Sequence, residues 1–273
     1  MSRSSPQTAM LPRRIVLVRH GQSQGNVNEA AYVDEADWRI ALTPEGRKQA
    51  AEAGARLHEV LDGLPTMWYV SPYRRTQQTL AVMMGGSSGN PSKTLGYTLG
   101  VREEPRIAEQ QFGNFQNVEA VIAAKEERSR FGRFWYRFPN GESGLDVFNR
   151  TTSFIATLFR DMSSIQVLMQ PGTRGDGEFN IVIVTHGLTL RLFLMRWLRW
   201  SVAQFERSKN PPNGSIIIME RRQDRKGSNR WFALDAASAK ILNVGAHGVS
   251  AHAQNDHTSE GRGQRGLLRE RVV

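Results

Sequence analysis

Two runs of β-branched and aliphatic residues, IVLV at 15–18 and IVIV at 181–184, each end in one polar residue, a histidine and a glycine: Arg19-His20-Gly21 and Thr185-His186-Gly187. Apolar runs of strand length with no alternation suit strands buried on both faces, as in a parallel or mixed sheet covered by helices on each side. That requirement constrains the chain more than any other feature. It places both strands near the sheet centre and both histidines at strand ends, where open α/β sheets bind their ligands.

The surrounding pattern agrees. TPEGRKQAAEAGARLHEVLDG (43–63) opens with Thr and Pro as cap and first turn, carries Ala50, Ala53, Leu57, Val60 and Leu61 at helical spacing, and stops at Gly63. MWYVS (67–71) reads as a strand and RRTQQTLAVMM (74–84) as the helix after it, giving a βαβα rhythm. Helical patterns follow at 118–132 and 145–162, joined by the aromatic, basic connector FWYRFPNGESG (134–144). This block reads as an insertion beside the sheet, over about 114–145. GGSSGNPSKTLG (85–96) and MQPGTRGDGEF (169–179) are loops by composition, and PPNGSIIIMERR and RWFALD predict two late strands paired at an edge. The expected organisation is a flexible tail over 1–12, one α/β domain over 13–245, and a disordered tail over 246–273. The fold class is three-layer α/β/α with a mostly parallel central sheet.

With 273 residues, 39% of them hydrophobic, the chain can bury one substantial core. No stretch reaches the roughly 18 apolar residues of a spanning helix, since LTLRLFLMRWLRW (188–200) is broken by three arginines. The absence of cysteine excludes disulfides, thiolate metal sites and a cysteine nucleophile, and suits a reducing compartment. A cytoplasmic location is expected, with a nuclear one compatible; the acid-free, Ser- and Arg-containing start MSRSSPQTAMLPRR has the composition of a transit peptide without its amphipathic pattern. The net charge of +10 would favour anionic partners, but the basic residues are scattered, which argues for a solvated surface over a nucleic-acid interface.

At the strand ends, two imidazoles meet the guanidinium groups of Arg19 and of SPYRRTQQT (71–79). Guanidinium forks and helix N-termini both favour phosphate oxygens. Imidazole can attack phosphorus, shuttle a proton or bind a metal. No HxH or HExxH pattern accompanies either histidine, so a metal-free phosphoryl pocket is expected, with one histidine as nucleophile and the other as electrostatic partner. Such chemistry also needs a carboxylate to protonate the departing alkoxide and then activate water.

These segments resemble the signatures of the histidine phosphatase superfamily, the phosphoglycerate-mutase-like proteins: R-H-G-x-S-x-x-N at Arg19 to Asn26, S-P-x-x-R-T-x-Q-T at Ser71 to Thr79, E-x-x-F-G at Glu109 to Gly113, and T-H-G at Thr185 to Gly187. LTPEGRKQA (42–50) is similar to a further segment of that family. The resemblance runs from about residue 13 to 220. It implies that His20 is the nucleophile, that Arg19, Arg75 and His186 hold the phosphate with Ser23, Asn26 and Gly187 at its rim, and that Glu109 is the proton donor. No cofactor and no metal are implied, and the partner is a small-molecule phosphomonoester. In SPYRRT the family arginine corresponds to Arg75, which leaves Arg74 as a surface neighbour. The glycine after each histidine is expected to admit backbone N–H groups and ligand at close range.

Within the family, mutases follow the acidic residue with Arg and Tyr, whereas Gln110, Gln111 and Phe112 follow Glu109 here. The chain is most similar to plant phosphoglycerate-mutase-like proteins and fungal broad-range acid phosphatases, on VSPYRRT, EQQFGNFQ, RFPNGESG and VTHGLTLRLFLMRW. A phosphatase is therefore expected. The alternatives are a phosphoglycerate-type mutase, a non-catalytic phospho-ligand binder, and a basic nucleic-acid-binding protein. Specificity is expected from the insertion, through Arg130, Arg133 and Arg137. His58 reads as a surface residue, Arg191 as an ion-pair partner, the Trp-rich LMRWLRW face as packing, and His247, His252 and His257 as too loosely spaced for a metal site.

Overall fold

A computed structural model describes residues 11–85, 97–114, 117–168, 177–222 and 232–244. All but the first residue of the expected 85–96 loop, most of the 169–179 loop, the tail histidines and nearly all of both tails lie outside the described residues.

In chain order the elements are β1 (Arg14–Arg19), α1 (Gln24–Val27), α2 (Ala31–Asp34), α3 (Pro44–Leu61), β2 (Thr66–Val70), α4 (Arg74–Met83), β3 (Thr98–Glu103), α5 (Val118–Phe131), α6 (Gly144–Leu168), β4 (Asn180–Thr185), α7 (Gly187–Leu198), α8 (Val202–Arg207), β5 (Ile216–Arg221), β6 (Phe232–Leu234) and α9 (Ala236–Leu242). Short 3-10 turns lie at Asp37–Arg39 and Pro105–Ile107. The six strands form one sheet in the order β3-β2-β4-β1-β5-β6. β1, β2, β3 and β4 are parallel, and β5 and β6 are antiparallel additions at one edge.

Strand side chains alternate between faces, so each central strand feeds both helical layers. Ile15, Leu17, Ile181 and Ile183 join the cluster that contains α6 and α7 side chains such as Phe154, Leu158 and Phe193. Val16, Val18, Val182 and Val184 pack instead with Ala53, Leu57 and Leu61 of α3 and Leu80 and Met83 of α4. The unbroken apolar runs are thus a three-layer α/β/α core seen in sequence, with a fully buried residue at every position from Ile15 to Val18 and from Ile181 to Val184. Truncating one of these, such as Ile183→Ala, is expected to cost about 2–5 kcal/mol, the usual loss for a buried aliphatic side chain.

α3 begins as its sequence dictates. The Thr43 hydroxyl accepts the Gly46 N–H at 3.0 Å, Pro44 occupies the first turn, and the helix ends where Asp62 and Gly63 take positive φ values of 53° and 66°. α6 runs further than the expected 145–162, because its apolar stripe continues through Met162 and Ile165 and no Gly or Pro interrupts the sequence between Gly144 and Pro171. β3 has no counterpart in the sequence reading. It is an edge strand of largely exposed, partly charged residues, which carries neither an apolar run nor a buried alternation. α5 buries only Val121 and Ala124, and its aromatic neighbours Tyr136 and Phe138 form a separate small cluster with Phe112. The insertion is packed beside the main core, with little of its own.

Candidate active site

β1 and β4 are adjacent, parallel and in register, with Arg19 opposite Thr185. The next residue on each strand is a histidine, so the two rings emerge one strand spacing apart, about 4.8 Å. Their centroids are 5.1 Å apart at 64°. His20 Nδ1 lies 2.6 Å from the Gly21 carbonyl oxygen. A carbonyl only accepts, so Nδ1 carries the proton and Nε2 keeps its lone pair. Burial, then the charges of Arg75 and Arg19, hold the His20 pKa well below the ordinary imidazole value. His186 is fully buried, its Nε2 is 2.8 Å from Ser71 Oγ at the end of β2, and its Nδ1 has no partner among the described residues. Burial and Arg75 depress its pKa in the same way. His186 touches His20 and Tyr73 but is not itself part of the open pocket wall.

Arg75 is 3% exposed at the start of α4, whereas Arg74 is exposed and only 4.0 Å from Glu35. The sequence assignment between the two is therefore matched by burial. Arg75 Nη1 donates to both the carbonyl and the carboxylate of Asp37, at 2.7 and 2.8 Å, and its guanidinium lies over the Tyr73 ring at 4.8 Å. Asp37 was not foreseen from the sequence, where it sits in a featureless polar stretch. Arg19 donates to the Pro211 carbonyl, and its buried Nε has no partner among the described residues.

Glu109 is delivered by a loop that several elements hold. Thr185 Oγ1 donates to the Ile107 carbonyl and Thr189 Oγ1 to the Ala108 carbonyl, both at 2.7 Å. Arg150 of α6 donates to the carbonyls of Arg106, Ala108 and Glu109 at 2.8, 2.8 and 3.0 Å, and pairs with Glu142. The Glu109 carboxylate itself accepts from Thr189 Oγ1 at 3.1 Å and from the Thr189 N–H at 3.4 Å, at the N-terminus of α7. Arg150 carries no sequence signal for this role.

The rim residues divide. Asn26 lines the pocket, and its Oδ1 is held by Ser23 and by Asn213 Nδ2. Ser23 is buried in that cap and is not part of the wall. The glycines after the histidines serve the fold first: a Cβ on Gly21 would sit 2.1 Å from the Gly46 carbonyl oxygen, and one on Gly187 would sit 2.3 Å from the Asn210 amide. The close approach they permit includes α3 and Asn210, a pocket-lining side chain.

The pocket has a volume of about 310 Å³. Arg19, His20, Asn26, Arg75 and Glu109 meet there with residues the sequence did not single out, namely Glu29, Tyr32, Lys125, Arg128 and Asn210. Six cationic side chains and two carboxylates line it, so it is an anion site. Of the three insertion arginines expected to set specificity, only Arg133 lines it; Arg130 is outside it, and Arg137 pairs with Asp146. Lys125 and Arg128 stand three apart on α5, a spacing that puts both on one helical face and would have pointed to them. Arg191 makes no ion pair among the described residues: it is buried, donates to Ser208 Oγ and the Phe205 carbonyl, and lies over the Phe205 ring. His58 is exposed, and Trp197 is stacked between Phe159 and Phe193 as packing. Among the described residues no group of three or more His, Asp or Glu is arranged to hold a metal ion, and no helix is long and apolar enough to cross a membrane.

A doubly covered α/β sheet whose strand ends present the buried His20 imidazole, backed by His186, and two guanidiniums to one cation-rich pocket defines an anion-binding α/β protein. Residues 15–234 match the profile of the histidine phosphatase superfamily (branch 1), and the chain belongs to that family. It is 49% identical over 222 residues to the phosphoglycerate mutase-like protein AT74 of Arabidopsis thaliana, covering 79% of this chain and 67% of that one. It is 31% identical to the broad-range acid phosphatase DET1 of Saccharomyces cerevisiae, over 77% of this chain and 85% of its relative. Among solved structures, the one titled mycobacterial hydrolase 1 superposes with a TM-score of 0.58 at 26% identity, covering 82% of this chain and 97% of its own.

Proposed function

We propose that the protein hydrolyses phosphomonoesters through a covalent phosphohistidine on His20. The observation that carries this reading is the Nδ1–H bond to the Gly21 carbonyl at 2.6 Å, which leaves Nε2 as the lone pair on a buried, neutral ring in a cationic pocket. In the first step Nε2 attacks phosphorus, the P–N bond forms as the ester P–O bond breaks, and the departing alkoxide takes the proton of Glu109. In the second, Glu109 removes a proton from water as its oxygen attacks phosphorus, and the P–N bond returns its electron pair to Nε2. Arg19 and Arg75 carry the charge of the phosphoryl oxygens in both steps. The products are an alcohol and inorganic phosphate, and no step calls for a metal.

The same pocket would serve a mutase if a second hydroxyl replaced water. Glu109 is followed by Gln110 and Gln111, without the Arg and Tyr of that pattern, and hydrolysis is the reading we favour. A pH profile follows with a definite sign. The depressed His20 pKa keeps the nucleophile deprotonated into the acid range, so kcat/KM is expected to persist below the pH at which an ordinary imidazole would be protonated.

The test is to incubate the protein and its His20→Ala variant with a labelled phosphomonoester, measuring released phosphate and trapping acid-labile phosphoenzyme. His20-dependent release with a trapped phosphoenzyme is expected. Equal turnover by both proteins ends the assignment, and phosphate exchange between phosphoglycerate isomers faster than hydrolysis selects the mutase.

A further inference from the structure

The carbonyls of Arg106, Ile107, Ala108 and Glu109 each accept a hydrogen bond from a side chain of another element. Thr185 of β4 and Thr189 of α7 hold two of them, and Arg150 of α6 holds three. The backbone that carries the Glu109 carboxylate therefore owes its course to side chains 41 to 81 residues away rather than to regular structure of its own. Arg150 commits every donor it has. Nε and Nη2 meet the two oxygens of Glu142 at 2.9 and 3.0 Å, Nη1 reaches the Arg106 and Ala108 carbonyls at 2.8 Å each, and Nη2 also reaches the Glu109 carbonyl at 3.0 Å. A guanidinium has five N–H donors in one rigid plane, and this arrangement uses them all.

Glu142 closes the far side of the acid. Its Oε2 also accepts the Gln111 N–H at 3.0 Å, its own N–H donates to the Gln111 carbonyl at 2.9 Å, and its carbonyl accepts from Gln110 Nε2 at 2.8 Å. The two loops touch backbone to backbone there: a Cβ on Gly141 would lie 2.4 Å from the Gln111 carbonyl oxygen, and one on Gly113 would lie 2.1 Å from that of Pro139. Residue 109 is thus held before by Arg150 and after by Glu142, and the two holders are paired with each other. Only 18% and 20% of their side chains are exposed, and neither lines the pocket.

We infer that Arg150, locked by Glu142, is a positioning residue for Glu109: it sets where the carboxyl meets the leaving oxygen and does not itself touch the substrate. This inference rests on the reading of Glu109 as the proton donor. Its consequence is a rate effect that depends on the leaving group. Misplacing the carboxyl by about 1 Å can cost about 10²-fold in proton transfer, while an ester whose leaving oxygen needs no proton should scarcely register it. Phosphate affinity, which falls to Arg19 and Arg75, should stay. Charge has to be kept constant in the test, because Arg150 also adds to the effects of burial, Arg75 and His20 that hold the His186 pKa down. Lysine keeps the charge but gathers its three donors on one nitrogen, so it cannot reproduce the planar fork.

The experiment measures Arg150→Lys on β-glycerophosphate and on para-nitrophenyl phosphate, using kcat/KM because it reports the first phosphoryl transfer. A loss of about 10- to 100-fold is expected on the alkyl ester and of about threefold or less on the aryl ester, with the inhibition constant of inorganic phosphate within about threefold of wild type. In the Glu109→Gln background, Arg150→Lys should cost nothing further. Equal losses on both esters, a change confined to phosphate affinity, wild-type rates, or a full loss persisting on top of Glu109→Gln each overturn the inference. If Glu109→Gln alone loses equally on both esters, the proton-donor reading fails, and the double substitution still decides the positioning: non-additive losses uphold it and additive losses end it. Glu142→Gln runs through the same cycle and gives the same decision should Arg150→Lys not fold. Hydrogen exchange needs no turnover: amides of 107–111 are expected to exchange about tenfold faster or more in Arg150→Lys, which upholds the clamp even if neither ester is hydrolysed, whereas unchanged exchange overturns it.

Discussion

The two walls of the pocket are built on different principles. The strand wall carries Arg19 and His20 at the end of β1 and Arg75 on the first turn of α4, backed by His186 at the end of β4; His20, His186 and Arg75 are buried, and each has a nitrogen tied to backbone, to Ser71 or to Asp37. The α5 wall carries Lys125, Arg128 and Arg133 on an insertion that buries two residues of its own helix and rests on a small aromatic cluster. Strand register fixes the first wall to within a hydrogen-bond length, because a slip of one residue would turn the whole set to the other face. Nothing comparable fixes the second. On the function proposed above, the reacting geometry is placed where the fold is least able to vary, and the pocket's opposite wall where side chains can change without disturbing the sheet.

Substitutions on the strand wall should therefore have large effects, and those on the α5 wall small ones. His20→Ala is expected to lower turnover of a phosphomonoester by roughly 10³-fold or more, read from steady-state kinetics with loss of the trapped phosphoenzyme. Glu109→Gln should cost about 10²- to 10⁴-fold with an alkyl phosphate, and distinctly less with an aryl phosphate whose leaving group needs no proton. Equal losses on both ester types would remove Glu109 from the acid role. Asp37→Asn frees Arg75 from its ion pair, and we expect KM to rise by about tenfold with a smaller change in kcat, since the ionic hydrogen bond that is lost orients a phosphate ligand.

Folding stability offers a test that needs no substrate. His20 and His186 are held neutral by burial, with pKa values below those of the unfolded chain. As pH falls through about 6.5 the unfolded state binds protons that the folded state refuses, so stability declines by up to about 1.4 kcal/mol per pH unit for each histidine. Thermal unfolding at pH 7.5 and 5.5 should show this loss, and His186→Gln should remove part of it. The smallest effect is expected on the α5 wall: Lys125→Ala breaks a partly exposed ion pair with Glu29 and should change stability by only about 0.2–1 kcal/mol in thermal or urea unfolding. A loss several times larger would mean that α5 is held more tightly than its packing implies.

Much of the strand wall could be read without coordinates. The apolar runs gave β1 and β4 their central places, the helical pattern gave α3 its limits, and the choice of Arg75 over Arg74 came from the resemblance of SPYRRT to the family's signature segment. The α5 wall was read less well. Arg130 and Arg137 proved to lie outside the pocket while Lys125 and Arg128 lie inside it, since the face a helix turns toward a distant pocket depends on what packs against its other side. β3 escaped notice because an exposed edge strand has no apolar signature. Ser23 and Gly187 proved to support the pocket rather than line it.

By itself, the sequence determined the central strands, the long helices and the residue types at strand ends, because burial on both faces of a sheet and helix caps are local demands written into contiguous residues. Only the tertiary structure decided which partners met. Asp37 on Arg75, Ser71 on His186 and Arg150 on the Glu109 loop join segments 38, 115 and 41 residues apart. A hydrogen bond depends on where two side chains end in space, and no local pattern in a chain encodes that distance.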